Sequence, residues 1–144
     1  MATVEKLLQV KGNKTWTITP QATVYAAVQL MSDKNVGALM VMEARKPVGI
    51  FTERDYARKL ILKGKSSKTT TVRELMTVEV LYVEPRNSIE DCMQLMTNKR
   101  VRHLPVLAEG ELIGIVTIGD VVKQIISDQE STIAQLEKYI QGGY

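Results

Sequence analysis

Residues Gly49-Ile50-Phe51-Thr52-Glu53-Arg54-Asp55 return 65 positions later as Gly114-Ile115-Val116-Thr117-Ile118-Gly119-Asp120. Each copy reads Gly, two apolar residues, Thr, two variable residues and Asp. The same offset pairs Pro20 with Pro85, Gln29-Leu30-Met31 with Gln94-Leu95-Met96, and Lys34 with Lys99. It also pairs Val36, Leu39 and Val41 with Val101, Leu104 and Val106. No gap is needed across 16–62, so an internal duplication holds its register through helix, strands and motif together. This narrows the fold to two copies of one supersecondary unit. A unit of about fifty residues buries too little apolar surface to be comfortable alone, whereas the whole chain can build a shared core.

Hydrophobic periodicity predicts the elements within a copy. Val24, Ala27, Val28 and Met31 follow Thr23 at helical spacing, which predicts an amphipathic helix ended by Asp33-Lys34-Asn35. Trp16-Thr17-Ile18 before Pro20 predicts a short strand. Residues 36–42 are an apolar run of strand length, Arg45-Lys46-Pro47 a turn, and 48–51 a second strand. Thr followed three residues later by an acid, ahead of an apolar run, is a helix-start signal, so the motif is a strand running into a helix. The helix after Thr52 carries Tyr56, Leu60 and Ile61 inward and stops before Gly64. A short helical pattern leads into each copy: Val4, Leu7 and Leu8 in the first, Thr71-Val72-Arg73-Glu74-Leu75-Met76 in the second. Lys11-Gly12-Asn13-Lys14 is a turn by composition.

Lys63-Gly64-Lys65-Ser66-Ser67-Lys68 is polar and links the halves. The predicted organisation is a first unit with its lead-in helix over 3–62, a linker over 63–70, a second unit with its lead-in helix over 71–127, and a helical extension over 128–141. That last helix starts at the second motif and runs through Val121, Val122, Ile125, Ile126, Ile133, Leu136 and Ile140 to a stop at Gly142-Gly143. Ile126, Ile133, Leu136 and Ile140 have roughly heptad spacing and need cover from the module or from a partner chain.

Composition removes several function classes. Hydrophobic residues at 44% with 24% charged residues are ordinary for a soluble globular protein. A net charge of +3 suits an anionic small molecule but lacks the density of a nucleic-acid face, and 5% aromatics argues against base-stacking platforms. No run approaches the eighteen or so apolar residues of a membrane span. The N-terminal Met1-Ala2-Thr3-Val4-Glu5-Lys6 lacks the apolar core of a signal peptide, so a cytoplasmic location is expected. Cys92 stands alone and reads as core beside Met93 and Met96. No nucleophile–base pair or metal set is visible around the single histidine, so no catalytic residues and no metal are expected, and the chain does not read as an enzyme.

Two readings fit Thr52 with Asp55, and Thr117 with Asp120. Thr and Asp can simply cap a helix, the carboxylate favoured by the helix dipole. A helix mouth with N–H groups and a hydroxyl is equally a phosphate or ribose site. Arg102 and His103 can be strand-end surface residues or phosphate contacts, Arg by fixed charge and His by a switchable one. Their matches in the first half, Gly37 and Ala38, carry no charge. Arg54, whose match is Gly119, lies in a first helical turn where it can reach a phosphate or form a surface pair.

Two strand-helix-strand-strand-helix units, each closing on Gly-apolar-apolar-Thr-x-x-Asp, resemble a tandem pair of CBS domains, the cystathionine beta-synthase domain family. Arg102-His103-Leu104-Pro105-Val106 strengthens the likeness, since a basic residue before Leu-Pro-Val is typical of the family's second strand. The resemblance covers nearly the whole chain, about 3–126. It implies an α/β (α+β) fold of two β-α-β-β-α units packed sheet to sheet with pseudo-twofold symmetry, followed by a long C-terminal helix. It further implies two clefts for adenosine-containing ligands such as AMP, ATP or NAD, and a homodimer. Asp55 and Asp120 would hold ribose hydroxyls, with Thr52 and Thr117 nearby on ribose or phosphate.

Lys14 and Thr15 are candidates for the cleft mouth. Ile18, Val36, Met40 and Ile50, with Ala38 beside them, and Val83, Val101 and Ile115 are candidates for the adenine walls. With no catalytic, transporter or DNA-binding domain attached, the expected role is a stand-alone adenine-nucleotide sensor signalling through its dimer shape. The competing expectation is a constitutive dimerising scaffold with vestigial clefts, whose last helix binds a client protein. The unequal pairs, Arg54 with Gly119 and Gly37-Ala38 with Arg102-His103, predict unequal clefts.

Overall fold

The computed structural model describes residues 2–141. The first repeat contains β1 (Thr17–Ile18), α2 (Val24–Lys34), β2 (Ala38–Glu43), β3 (Lys46–Thr52) and α3 (Glu53–Asp55), preceded by α1 (Val4–Lys11). A π-helical turn, Tyr56–Leu60, continues α3 directly. The second repeat contains α5 (Ile89–Lys99), β4 (His103–Ala108), β5 (Glu111–Thr117) and α6 (Ile118–Ile140), preceded by α4 (Val72–Leu75). β2 and β3 pair antiparallel with β1 added parallel to β2, and β4 pairs antiparallel with β5.

Local chemistry explains the boundaries. Thr23 accepts from the Ala26 N–H and Ser88 from the Asp91 N–H, so α2 and α5 start on side-chain caps. Both helices end on a left-handed residue, Asn35 (φ 54°) and Arg100 (φ 55°), after which the Val36 and Val101 N–H groups close on Met31 and Met96 carbonyls. That closure keeps Val36 out of β2, which begins at Ala38. The first hairpin turns at Ala44 and Arg45, consecutive left-handed residues as a two-residue twisted hairpin demands, and the second at Glu109 and Gly110. The turn expected at Arg45-Lys46-Pro47 is therefore displaced: Lys46 and Pro47 belong to β3. Pro47 pairs with Met42 beside a register shift between Val41 and Met42, an irregularity of the kind that accommodates a residue with no N–H.

The lead-in helices cross over. α1 buries Val4, Leu7 and Leu8 in one cluster with Val83, Ile89, Cys92, Leu104 and Val116 of the second repeat. Val72, Leu75 and Met76 instead pack with Val24, Ala27, Leu39 and Phe51 of the first. The docking bonds match across the repeat. Val4 and Glu5 N–H groups donate to Asn87 and Pro85 carbonyls; Val72 and Arg73 donate to Ala22 and Pro20.

Each crossing runs against the motif glycine. A Cβ on Gly49 would lie 2.9 Å from both Met76 Sδ and the Thr77 carbonyl oxygen, and one on Gly114 would lie 2.9 Å from Leu8 Cδ2. Close approach of the crossing segment, rather than an unusual φ, is what requires glycine there. Between the two sheets a smaller cluster of Ala38, Met40 and Ile50 meets Tyr82, Leu112 and Ile115. The sheets therefore face one another across the repeat axis.

Three local expectations are corrected. The second repeat's first strand is reduced to a bridge at Val83, which exchanges bonds with Pro105 and Leu107. α1 continues through Lys11, where a turn was expected, and ends when the Gly12 N–H (φ 91°) closes on the Leu8 carbonyl at 2.8 Å. After Thr52 the wider π winding buries Leu60 but turns Ile61 outward, leaving it 68% exposed. Gly142 and Gly143, expected to stop the last helix, lie outside the described residues.

Candidate functional site

Each motif presents its Thr and Asp at a helix mouth, and in each the two residues form a reciprocal capping box. The Asp55 N–H donates to Thr52 Oγ1 at 3.1 Å while Asp55 Oδ2 accepts from the Thr52 N–H at 3.0 Å. The Asp120 N–H donates to Thr117 Oγ1 at 3.1 Å, and Asp120 Oδ2 accepts from the Thr117 N–H at 2.9 Å. The capping reading of the sequence is thus present at both mouths. Beyond the cap, the two carboxylates part company.

Asp55 is closed in. Its Oδ2 also accepts from Thr52 Oγ1, its Oδ1 accepts from Thr77 Oγ1 at 2.9 Å, and Lys59 Nζ stands 2.9 Å from Oδ1. Thr77 arrives because the chain beyond α4 bridges to Ile50, each donating its N–H to the other's carbonyl. Lys59 arrives because it lies one helical turn on, and it also donates to the Leu75 carbonyl. The Asp55 side chain is left 7% exposed.

Asp120 is open. Beyond its cap, Oδ2 meets Lys11 Nζ at 2.5 Å, and the same ammonium donates to the Ile115 carbonyl at 2.9 Å. Among the described residues Oδ1 carries no hydrogen bond, and the side chain is 23% exposed. Burial works to raise the Asp120 pKa. The hydrogen bonds from Lys11 and the Thr117 amide and the Lys11 charge outweigh it, so the carboxyl lies below its ordinary range.

His103 opens β4 beside this carboxylate. Burial lowers its pKa below the usual imidazole value; Glu53 and Asp120 oppose that shift, while Lys11 and Arg102 add to it. Those four charges come from α1, α3, the approach to β4 and α6, so His103 sits where the repeats meet. Gly37 makes the room: a Cβ there would lie 2.7 Å from Glu53 Oε1 and 3.4 Å from His103 Nε2. Gly37, the uncharged match of Arg102, therefore faces His103 across the axis.

Other candidates scatter. Arg54 Nη1 donates to the Arg100 carbonyl at 2.7 Å, tying α3 to the end of α5. Arg102 is exposed and its carbonyl accepts from the Ile118 N–H. Lys14 lies over the Trp16 ring at 4.6 Å, with Lys34 at 4.5 Å, and Thr15 Oγ1 donates to the Asn13 carbonyl at 3.5 Å. Ile18 and Val36 join the first repeat's core, and Val83 and Val101 the second's. Of the residues expected to wall an adenine, only Ala38, Met40, Ile50 and Ile115 lie in the cluster between the sheets. Lys11, Glu53, Lys59 and Thr77 were missed as site residues. Lys11 was legible as the next turn of the Val4, Leu7, Leu8 helix, since Gly12 is a helix-ending residue.

Among the described residues no group of three His, Cys, Asp or Glu is placed to hold a metal ion, and no helix is long and apolar enough to cross a membrane. A model of the CBS domain family matches residues 13–62 and 72–127, the two repeats. The mitochondrial CBS domain-containing protein CBSX3 of Arabidopsis thaliana is 45% identical over 138 residues, 92% of this chain and 66% of its own length. The chain thus spans just under two thirds of that relative. The crystal structure of the CBS domain NE2398 has a TM-score of 0.84 at 52% identity, covering 86% of this chain and 97% of that one. A Burkholderia ambifaria MC40-6 structure described as a signal-transduction protein with CBS domains reaches 0.86 at 50% identity, covering 89% and 96%. Two such repeats facing one another are a regulatory, signal-transduction architecture. Repeat, fold and likeness agree that the chain belongs to the CBS domain family, as a tandem pair of its domains.

Proposed function

We propose that this tandem pair is a non-enzymatic regulatory module that binds an adenine nucleotide, AMP, ATP or NAD, at the mouth of α6, and signals as a homodimer. The observation that carries the reading is the inequality of the two motif carboxylates: 23% side-chain exposure at Asp120 against 7% at Asp55. A ribose needs a carboxylate oxygen with a free lone pair, and Asp120 Oδ1 has one. The surrounding groups suit the rest of a nucleotide. Lys11 and Arg102 are cations for phosphate, and His103 can gain a proton beside it.

Lys11 also supplies a route for the signal. In this structure it grips Asp120 and the Ile115 carbonyl from the end of α1. A phosphate drawing its ammonium away would change how α1 ends. Ligand acts only through such a difference in affinity between two arrangements. The exposed apolar residues of α6 support a scaffold as the second reading, in which the cleft is idle.

Thermal unfolding with AMP, ATP and NAD separates the two. A ligand present at 100 times its dissociation constant stabilises the native state by about 2.7 kcal/mol. A rise in melting temperature with one of these nucleotides, lost in Asp120→Ala, supports the sensor. No rise with any of the three at saturating concentration contradicts it and leaves the scaffold.

A further inference from the structure

From Val122 to its end, α6 carries a stripe that the module does not cover. Val122, Ile126, Ile133, Leu136 and Ile140 are 41–76% exposed, while Val121 on another face of the same helix is fully buried in the second repeat's core. With exposed Gln129 included, the stripe falls at 122, 126, 129, 133, 136 and 140, alternating steps of four and three. This is a heptad seam with isoleucine at the a positions 126, 133 and 140, and with Val122, Gln129 and Leu136 at the d positions. It extends about 27 Å at 1.5 Å per residue.

We infer that the occupant of this seam is the α6 of a second copy of the chain, lying parallel and in register as a two-stranded coiled coil. The deduction rests on the dimeric part of the proposed function and deepens it by naming the interface and its direction. Isoleucine at every a position with Leu136 at d suits a two-stranded rather than a three-stranded parallel coil. The polar position decides the register. In a parallel pair Gln129 meets its own copy across the axis, where each amide both donates and accepts. An antiparallel pair that matches the whole seam sets 129 against 133 and leaves the amide facing isoleucine. It also sets Glu130 beside its own copy. The antiparallel pair does gain exposed contacts between Lys123 and Glu137. Surface ion pairs contribute less than an unpaired amide costs, so the parallel pair wins. An unrelated client helix would need a polar residue at the one matching depth; a second copy supplies it automatically.

The test uses the full chain with Leu136→Cys, whose target site is 57% exposed and so leaves the core untouched. Across a parallel coiled coil identical d positions face each other, so mild oxidation should convert most of the protein to a disulfide-linked dimer on a non-reducing gel. Lys138→Cys, on the outer face of the helix, should link weakly. Light scattering after size exclusion should find the wild type at twice the 16.1 kDa chain mass and Ile133→Glu/Leu136→Glu at the single mass. A monomeric wild type, equal linking at 136 and 138, or a dimer that survives the double Glu substitution overturns the inference. Linking at 136 with no nucleotide-induced stabilisation sinks the nucleotide reading alone. Nucleotide binding without linking at 136 sinks the coiled coil alone.

Discussion

Replacing Asp55 with Ala should destabilise the fold substantially more than replacing Asp120, although the two residues occupy the same place in the repeat. Both substitutions remove a capping carboxylate, worth about 1 kcal/mol. Asp55→Ala additionally leaves the part-buried Thr77 hydroxyl without its acceptor at 2.9 Å and strips Lys59 of its counter-ion. An orphaned polar group costs about 1–3 kcal/mol, and losing an ion pair whose lysine is 36% exposed about 0–1. Lys59 keeps the Leu75 carbonyl and some solvent contact, which holds the cost toward the low end. The cap and the Thr77 hydroxyl together give about 2–4 kcal/mol for Asp55→Ala, and the Lys59 pair adds at most about 1 more. Asp120→Ala loses its cap and one partly exposed ion pair, worth about 0–1 kcal/mol, so its total is about 1–2. Urea unfolding followed by far-ultraviolet circular dichroism measures both, with unchanged m-values as the condition for comparison. Equal losses, or a larger loss for Asp120→Ala, would refute the assignment of Asp55 to structure.

The motif glycines should also differ: Gly49→Ala meets the Thr77 backbone oxygen at 2.9 Å and should cost about 1–3 kcal/mol of overpacking. Gly114→Ala meets only flexible Leu8 methyls and should cost well under half as much in the same urea assay. His103 has a folded pKa below its unfolded value, so above about pH 6.5 it is neutral in both states and costs nothing. As pH falls through that value the unfolded chain takes the proton first. Stability should then drop by at most about 1.4 kcal/mol per pH unit until the folded pKa is passed. His103→Gln should flatten that slope in unfolding midpoints taken between pH 7.5 and 5, which are assay settings spanning the imidazole range. Cys92 is fully buried, and burial with Asp91 and Glu90 nearby pushes its thiol up to about 11. It should ignore a thiol-reactive disulfide reagent in the native state and react at once in urea.

Much of this architecture was readable because the repeat supplied it twice. Gly49 and Gly114 stand out only as a pair, and each half's helical and alternating patterns check the other. The crossing of α1 and α4 was not readable. Val4, Leu7 and Leu8 specify an apolar face but not which repeat covers it, and Thr3, next to the first repeat in sequence, bridges to Ser88 of the second. The turn at Ala44-Arg45 escaped because neither residue is a usual left-handed one, while Pro47 is a strong turn signal that here sits in a strand irregularity. At the site, Thr52, Asp55, Thr117 and Asp120 were found by the motif and do share a geometry. Their partners were not. Lys59 and Thr77 reach Asp55 through the π turn and the crossing segment, and Lys11 reaches Asp120 over 109 positions of sequence. Ile18, Val36, Val83 and Val101 were apolar enough for a cleft wall and for a core alike, and each packs in its own repeat's core.

If the α6 motif carries a ligand site while its twin at Asp55 is structural, the two must differ in nucleotide binding. Calorimetric titration of the wild type and of Asp120→Ala with AMP, ATP and NAD under one set of conditions tests it most directly. One site per chain is expected for the nucleotide that binds, with an affinity about 10- to 100-fold weaker in Asp120→Ala, the loss of one charged acceptor. Two equal sites per chain, or undiminished affinity in Asp120→Ala, would contradict it.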